Sequence, residues 1–275
     1  MRPKEIEVSN VAWLPIHPAH AIERTRIVIQ FLRPLHHKMV TRLGDQFDQR
    51  RQEFGFGARI ETQAHMVTLT PAENAPPVVS PKAIGWQFNR TTEQGALMEV
   101  LVLDPQSLIY ESGEYVRWAL FSDRLSRMTG SMVQELQRDV DVQSVALEYF
   151  DRFVFDGANG QPVPSSLVRN ELLCALPGSA TSGRELWHVH RGWFEGEGHQ
   201  RFLVNQNVDA QQAQNTEGQD VRSVVIYTKV ERQAQGGEFD LSTLAADLDA
   251  MHDISKRVIR DALVEDAQKR VGLDQ

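Results

Sequence analysis

The chain alternates between two hydrophobic spacings, one typical of strands and one typical of helices. Alternating or β-branched apolar runs predict strands at 24–32, 58–70, 83–90, 96–104, 107–113, 142–156, 184–194, 199–210 and 222–231. Apolar residues three or four positions apart predict helices over 36–54, 114–136 and 241–269. Asp240 is placed to accept amide hydrogens at the start of the last helix. The proline-rich segment 71–81 is expected to form a loop.

These elements follow the same order twice along the chain. In each half, a strand is followed by a variable connection, a meander of three strands and a long helix. Polar turns separate the meander strands, which favours antiparallel pairing. We therefore predict an α+β fold of two similar lobes, each a mostly antiparallel sheet packed by a long helix, with boundaries 1–139 and 140–275. One continuous domain, in which both lobes share a sheet, is the alternative.

The helix over 114–136 carries an aromatic row that is suited either to recognition or to packing. Its members are three or four positions apart and therefore share one helical face: Trp118, Phe121, Leu125, Met128, Met132 and Leu136. A surface that stacks nucleic-acid bases would place Lys or Arg beside the aromatic side chains. Arg117, Arg124 and Arg127 fall mostly off the row, which becomes aliphatic after Phe121. We predict that the row is buried against the sheet, and that it is a partner interface if it is exposed.

The net charge of −8 over 275 residues argues against nucleic acid as a partner. Nucleic-acid binding draws most of its affinity from Lys and Arg side chains on phosphates. The longest basic clusters, Arg50–Arg51 and Lys256–Arg257, lie in predicted helices and are interpreted as solvated faces. Hydrophobic residues make up 41% of the chain, which allows a sizeable core without a metal or disulfide.

Cysteine content and the lack of long apolar runs indicate the cellular location. Cys174 is the only cysteine, which excludes an internal disulfide and favours the cytoplasm. Its apolar neighbours predict a buried, inert thiol. No segment has the roughly 20 apolar residues of a membrane helix, and the N-terminus lacks the apolar run of a signal peptide. We expect a cytoplasmic protein that does not bind membranes.

The weak metal-site candidates are His188 and His190, in the sequence HVH of a predicted strand. Residues two apart on a strand project to the same side, so both imidazoles can reach one metal ion. The local sequence supplies no third ligand. A pair of half-exposed strand histidines is the simpler interpretation, and we predict neither a metal nor another cofactor.

Common catalytic motifs do not occur in the sequence. It has no Gly-rich phosphate loop between a strand and a helix, no Gly-x-Ser-x-Gly elbow, no zinc-binding His-Glu pattern and no kinase signature. We therefore predict no catalytic residue, and expect binding rather than catalysis. An unfamiliar active site remains compatible with the sequence.

Three stretches carry motifs that occur together in a known family. The first is EYVRWALF, where Tyr115, Trp118 and Phe121 form a Tyr-x-x-Trp-x-x-Phe signature ahead of a helix. The last is LDAMHDISKRVIRDALVEDA, whose Leu-x-x-x-His element ends at His252. This closing helix lacks the Phe that is usual in the family.

The middle stretch, ALEYFDRF, is similar to the family's Gly-Leu-Arg-Tyr-Ile-Asn-Arg strand. Leu147, Tyr149 and Arg152 match this pattern. Three positions depart from it: Ala146, Glu148 and Asp151. Glu148 stands where the family has Arg, so no role of that Arg is carried over.

Together the three stretches resemble a sporadically distributed prokaryotic family of uncharacterised α+β proteins. The resemblance covers most of the chain, with the motifs in the same order. It implies an α+β protein of unknown activity, and it transfers no catalytic residue to this chain.

Three functional hypotheses follow from the sequence. The first is a bacterial binding protein that acts through a protein partner, within a defence (including phage defence) or toxin-neutralising system, and that also allows a homo-oligomer. The alternative is a small-ligand sensor or hydrolase with a pocket between sheet and helices, near Trp86, Trp187 or Trp193. The third is a metal enzyme built on His188 and His190.

Overall fold

The computed structural model describes residues 12–68, 78–115, 117–156, 161–174, 176–178, 186–214, 218–234 and 239–273. The strands are β1 (Ala12–Pro15), β2 (Ile22–Phe31), β3 (Arg59–Thr68), β4 (Val78–Thr91), β5 (Leu97–Leu103), β6 (Ser107–Ser112), β7 (Val142–Asp156), β8 (His188–Glu195), β9 (Phe202–Gln214) and β10 (Asp220–Gln233). The α-helices are α1 (His37–Asp48), α2 (Trp118–Asp139), α3 (Asn170–Leu173), α4 (Leu244–Ala262) and α5 (Glu265–Arg270).

Within these ranges, the ten strands form one antiparallel sheet. Nine of them follow the order β3-β4-β5-β6-β2-β7-β10-β9-β8, and β1 pairs with the end of β7. The α+β class predicted from the sequence is thus confirmed. The sheet runs without a break across the boundary proposed at residue 139, because β2 and β7 pair with each other at its centre.

The two halves of the sheet have corresponding connections. In the first half, β2 lies beside β6, the last strand of the meander β4-β5-β6, and α2 follows. In the second half, β7 lies beside β10, the last strand of the meander β8-β9-β10, and α4 follows. The repeated element order predicted from the sequence is present, whereas the division into two lobes stays a prediction.

The aromatic and aliphatic row of α2 packs into the core. Its buried members are Phe121, Leu125, Met128, Met132 and Leu136, which join side chains of α1, α4 and the sheet in one apolar cluster. Trp118 at the start of the helix is only half-buried. The prediction of a packing face is confirmed. Burial of these side chains stabilises the fold, because each Å² of apolar surface removed from water contributes about 25 cal/mol.

The side chains that point away from this core are largely polar and pair across strands. Arg26 on β2 forms ion pairs with Glu111 on β6 and Glu148 on β7. The guanidinium of Arg24 lies 4.1 Å from the ring centroid of Phe150. An antiparallel sheet can keep one face solvated, and Arg24 and Arg26 remain partly in contact with water on this face. Glu148 is buried, and its ion pair with Arg26 offsets part of the cost.

The start of β4 and the end of the closing helix differ from the sequence-based prediction. Val78–Pro81 belong to β4 rather than to a loop, while residues 69–77 lie outside the described ranges. The closing helix ends at Ala262, because Leu263 forms a bridge with Val168 and leaves the helical conformation. The sequence around Leu263 contains no proline or glycine that would predict the end of the helix.

The start of the closing helical segment is as predicted. Asp240 accepts a hydrogen bond from the backbone amide of Ser242 at 2.8 Å, and a 3-10 turn, Leu241–Thr243, leads into α4. Across the ranges given above, no helix has both the length and the apolar content needed to cross a membrane.

Candidate ligand-binding site

A cavity of about 460 Å³ lies between the sheet and α4. Its floor is formed by β7 and β10, and α4 covers it. The segment before β2, the start of α2 and residues 271–273 close its sides. A volume of this size is typical of pockets that hold small molecules.

β7 directs three consecutive inward positions, Tyr149, Asp151 and Phe153, into this cavity. Inward positions alternate along a strand, and the others on β7 are apolar or aromatic. β2 contributes Ile22, which lies opposite Asp151. A β-bulge at Glu23 shifts the alternation of β2 and thereby turns Ile22 towards the cavity.

Asp151 is the buried titratable group at the centre of the site. Its residue is 6% exposed, and no hydrogen bond or ion pair joins its carboxyl group to any described residue. Burial raises the pKa of Asp151 to about 7, because the ionised form loses its hydration. A carboxyl group with such a pKa, facing a cavity, is a candidate for ligand binding or acid–base chemistry.

Thr228 on β10 adds a second buried polar group to the cavity floor. Its hydroxyl oxygen has no hydrogen-bond partner among the described residues, and the residue is 1% exposed. Thr228 lies opposite Tyr149 in the β7–β10 pairing, and Ile226 lies opposite Asp151. Thr228 and Asp151 are therefore diagonal neighbours on one face of the sheet. The Cα atoms of such neighbours are typically about 7–8 Å apart.

A chain of aromatic contacts forms one wall of the cavity. The hydroxyl of Tyr149 lies 3.0 Å from Nδ1 of His252, and Tyr115 packs edge-on against Tyr149 at 5.7 Å. The imidazole of His252 stacks on the indole of Trp118, with ring centroids 4.6 Å apart and an interplanar angle of 5°. Nε1 of Trp118 donates a hydrogen bond of 2.7 Å to Asp249.

These contacts bring together residues from all three stretches that carried the family resemblance. Tyr115 and Trp118 come from the first, Tyr149 from the second and His252 from the third. The sequence analysis predicted a packing role for the row that Trp118 begins and no ligand-binding role for any of the four residues. In the fold they line a cavity as well as pack.

Burial keeps most titratable groups of the wall neutral near pH 7. It raises the pKa of Tyr115 to about 12, against a smaller opposite effect of the hydrogen bond with Tyr149. It also raises the pKa of Tyr149 well above its usual value. The pKa values of His20 and His252 are lowered, mainly because burial disfavours the charged imidazolium. Asp151 is thus the acidic group whose ionisation falls closest to neutral pH.

Two cationic side chains stand at the mouth of the cavity. Arg117 precedes α2 and Lys256 lies on α4, and both are exposed. Neither side chain forms an ion pair with a described residue. The neighbouring Arg257, in contrast, is paired with Glu195. The mouth therefore presents positive charge that is free to interact with a ligand.

His188 and His190, the metal candidates of the sequence analysis, lie on the edge strand β8. Their rings are parallel, with centroids 6.5 Å apart, so they do project to the same side. Nδ1 of His188 contacts Asp209, and Nδ1 of His190 contacts Asn207. Within the described part of the chain, no group of three or more metal-ligating side chains occurs.

The three tryptophans expected near a ligand do not line this cavity. Trp86 packs under the guanidinium of Arg59, 3.3 Å from its ring centroid. Trp187 is buried in a second apolar cluster, and Nε1 of Trp193 donates to Glu195. The cavity between the sheet and α4 is lined by the indole of Trp118 instead.

Cys174 and the groove between α1 and α2 are weaker candidates for a ligand site than this cavity. Cys174 is exposed rather than buried, contrary to the sequence-based expectation, and its thiol donates to the carbonyl of Glu171. The groove has a volume of about 560 Å³ and is open to solvent. Its charged lining includes Arg42, which is ion-paired with Glu135.

A second buried carboxylate, Glu99, has a structural environment. It accepts hydrogen bonds from Arg90, Arg124 and Tyr110. Burial alone would raise the pKa of Glu99, but these hydrogen bonds outweigh it, and the pKa lies below its usual value. Glu99 is therefore a saturated ion-pair centre, unlike Asp151.

No family model and no curated protein matches the chain. The sequence analysis noted Asp151 only as a departure from the family pattern and selected neither Asp151 nor Thr228 as a site residue. Asp151 could have been singled out because it occupies an inward position on a predicted strand between Tyr149 and Phe153.

Proposed function

We propose that the chain binds a small molecule in the cavity between the sheet and α4. The observation that carries this proposal is the buried carboxyl group of Asp151, which has no hydrogen-bond or ion-pair partner among the described residues and faces a cavity of about 460 Å³. Burying an ionisable group without a partner costs several kcal/mol in folding free energy. A ligand that hydrogen-bonds to Asp151 would offset this cost.

Binding accounts for the site more simply than hydrolysis does. A hydrolase would need Asp151 to activate water beside a scissile bond, together with a group that stabilises the developing negative charge. The Ser255 hydroxyl at the wall donates to the carbonyl of Met251 at 2.8 Å and does not contact a histidine. We therefore assign the cavity to a sensor or binding protein, with hydrolysis as the variant that would show turnover.

A thermal-shift screen with a metabolite panel tests the proposal. We expect at least one compound to raise the melting temperature of the natural chain. Ile22→Trp places a large side chain in the cavity and should abolish that shift. Ile109→Trp is the matched control, because Ile109 is half-buried on the opposite face of the sheet. Failure of every compound, or an equal shift in Ile22→Trp, would contradict the proposal.

A protein partner, the first hypothesis from the sequence, is the second candidate. The edge strand β8 favours it, since β8 pairs only with β9 among the described strands and leaves one edge free. Phe194 on this strand is 53% exposed. Sedimentation of the purified chain should then reveal self-association that Phe194→Lys prevents, and a monomer at all concentrations would count against the homo-oligomer.

Membership of the sporadically distributed prokaryotic family is also a proposal, as are a bacterial cytoplasmic location and a defence or toxin-neutralising role. The meeting of Tyr115, Trp118, Tyr149 and His252 in one wall supports the family assignment. A family member whose structure places its own Tyr, Trp, Tyr and His differently would refute that assignment.

A further inference from the structure

The Asp, Lys and Arg side chains that line the cavity differ in sign between its floor and its mouth. Asp151 lies on the floor, and Arg117 and Lys256 stand at the mouth. In a chain of net charge −8, two cations that have no carboxylate partner among the described residues favour the approach of an anionic group to the cavity mouth. The mouth and the floor therefore select for different chemical groups.

The floor is suited to a cationic hydrogen-bond donor. An ionised carboxylate accepts hydrogen bonds and offers no donor, so Asp151 requires N–H or O–H groups from a ligand. The hydroxyl of Thr228, buried and without a partner among the described residues, can accept a further hydrogen bond. An ammonium group has three donors, so it can donate hydrogen bonds both to the Asp151 carboxylate and to the Thr228 hydroxyl oxygen.

The wall also fits a cation. Tyr115, Tyr149 and Trp118 present aromatic rings to the cavity, and aromatic faces attract ammonium groups. The histidines His20 and His252 have lowered pKa values, mainly because of burial, and so add little positive charge near pH 7. Asp249 on α4 accepts a hydrogen bond from Trp118 and does not line the cavity.

From this arrangement we infer that the ligand is a small zwitterion, with an ammonium group on Asp151 and Thr228 and an anionic group between Arg117 and Lys256. This inference rests on the proposed function. A purely cationic ligand would be repelled at the mouth. A purely anionic ligand would leave Asp151 without a donor, unless the two carboxyl groups shared a proton.

Three probes with the same aromatic body separate these alternatives. They are 4-(aminomethyl)benzoate, which carries both charges, 4-methylbenzylamine, which carries only the cation, and 4-methylbenzoate, which carries only the anion. Dissociation constants are measured at pH 8 by NMR, using the indole N–H signal of Trp118 to report on the cavity. We expect the zwitterion to bind at least about tenfold more tightly than either singly charged probe, because both charges contribute hydrogen bonds to ionised partners.

Two sets of variants assign the charges to their sites. Asp151→Asn should reduce the affinity for the zwitterion to that for 4-methylbenzoate. The double variant Arg117→Gln/Lys256→Gln should reduce it to that for 4-methylbenzylamine. The matched control is Arg127→Gln/Lys38→Gln, which removes the same charge at exposed positions that do not line the cavity, and it should leave the affinity unchanged.

The outcomes distinguish the ligand class from the existence of the site. If 4-methylbenzoate or 4-methylbenzylamine shifts the Trp118 signal with an affinity equal to or above that of the zwitterion, the class is wrong although the cavity binds small molecules. An unchanged preference in Asp151→Asn likewise overturns it. If none of the three probes shifts the Trp118 signal at millimolar concentration, the zwitterion inference fails, and the metabolite screen decides the proposed function independently.

Discussion

The hydroxyl of Tyr149 on β7 lies 3.0 Å from Nδ1 of His252 on α4, across 103 positions of sequence. This contact fixes the helix over the sheet at the edge of the cavity. The same imidazole stacks on Trp118, so the start of α2 is held at the same point. Three elements that are distant in sequence thus define one wall.

Removing the Tyr149 hydroxyl should weaken this junction. Tyr149→Phe is expected to lower the free energy of unfolding by about 1 kcal/mol, because a half-buried imidazole nitrogen loses its partner. Urea unfolding of Tyr149→Phe, His252→Gln and the double variant gives a coupling energy, expected to be about 1 kcal/mol. Tyr227→Phe combined with His252→Gln should be additive, since Tyr227 faces the other side of the sheet. Additivity of the Tyr149 pair would contradict the assigned contact.

Ionisation of Asp151 should make the fold less stable as the pH rises. The pKa of Asp151 is about 7 in the folded chain and 3.8 is the ordinary value for an unfolded one. The burial cost is therefore absent below about pH 4, grows between pH 4 and 7, and is complete above pH 7. This difference between the folded and unfolded pKa values lowers the free energy of unfolding by up to about 4 kcal/mol.

Asp151→Asn tests this dependence. The variant should be more stable than the natural chain at pH 8, by about 2–4 kcal/mol, and should lose this advantage near pH 4. His20 and His252 act in the opposite direction, since their lowered pKa values reduce stability as the pH falls below 6.5. This histidine effect is the same in Asp151→Asn and in the natural chain, so it cancels when their free energies of unfolding are subtracted. A difference that is constant from pH 4 to pH 8 would contradict the raised pKa.

The buried face of α2 should respond strongly to truncation. Leu136 is fully buried and Leu120, on the same helix, is 61% exposed. Leu136→Ala is expected to lower the free energy of unfolding by about 2–5 kcal/mol, because it removes apolar contacts and leaves a cavity. Leu120→Ala should change it by less than about 0.5 kcal/mol. Similar losses for the two variants in chemical denaturation would argue against the packing assigned to this face.

The ion-pair centre at Glu99 should contribute to the stability of the fold and not to ligand affinity. Glu99→Gln removes the charge that three donors share, and a broken buried ion pair typically costs about 3–5 kcal/mol. Glu93→Gln, at an exposed position, serves as the control. Thermal denaturation should separate the two variants clearly. Binding of 4-(aminomethyl)benzoate to folded Glu99→Gln should be unchanged, and a lost affinity would indicate that the two buried carboxylates are coupled.

The strands and the packing face of α2 were predictable because they follow from local spacing. Strand β7 has the predicted bounds Val142–Asp156, and the row from Phe121 to Leu136 is buried as its period indicates. These features depend on alternation and helical period, which neighbouring residues in the sequence determine.

The site was less predictable because it depends on contacts between distant segments. The alternation in β7 placed Asp151 inward, but it did not show that β10 and α4 would leave space above it. The turn of Ile22 towards the cavity depends on a bulge at Glu23, and the end of α4 depends on pairing between Leu263 and Val168. None of these has a local sequence marker.

The pairing of β2 with β7 has a consequence for how the chain assembles. Nine of the ten residues of β2 pair with β7 along the middle of the sheet, so a cut near residue 139 would remove backbone partners from both central strands. Each fragment would then carry a long unsatisfied edge of the kind that recruits other chains. The two gene halves, if expressed separately, are thus expected to recombine with each other as a split protein, and the intact chain should melt in one cooperative step.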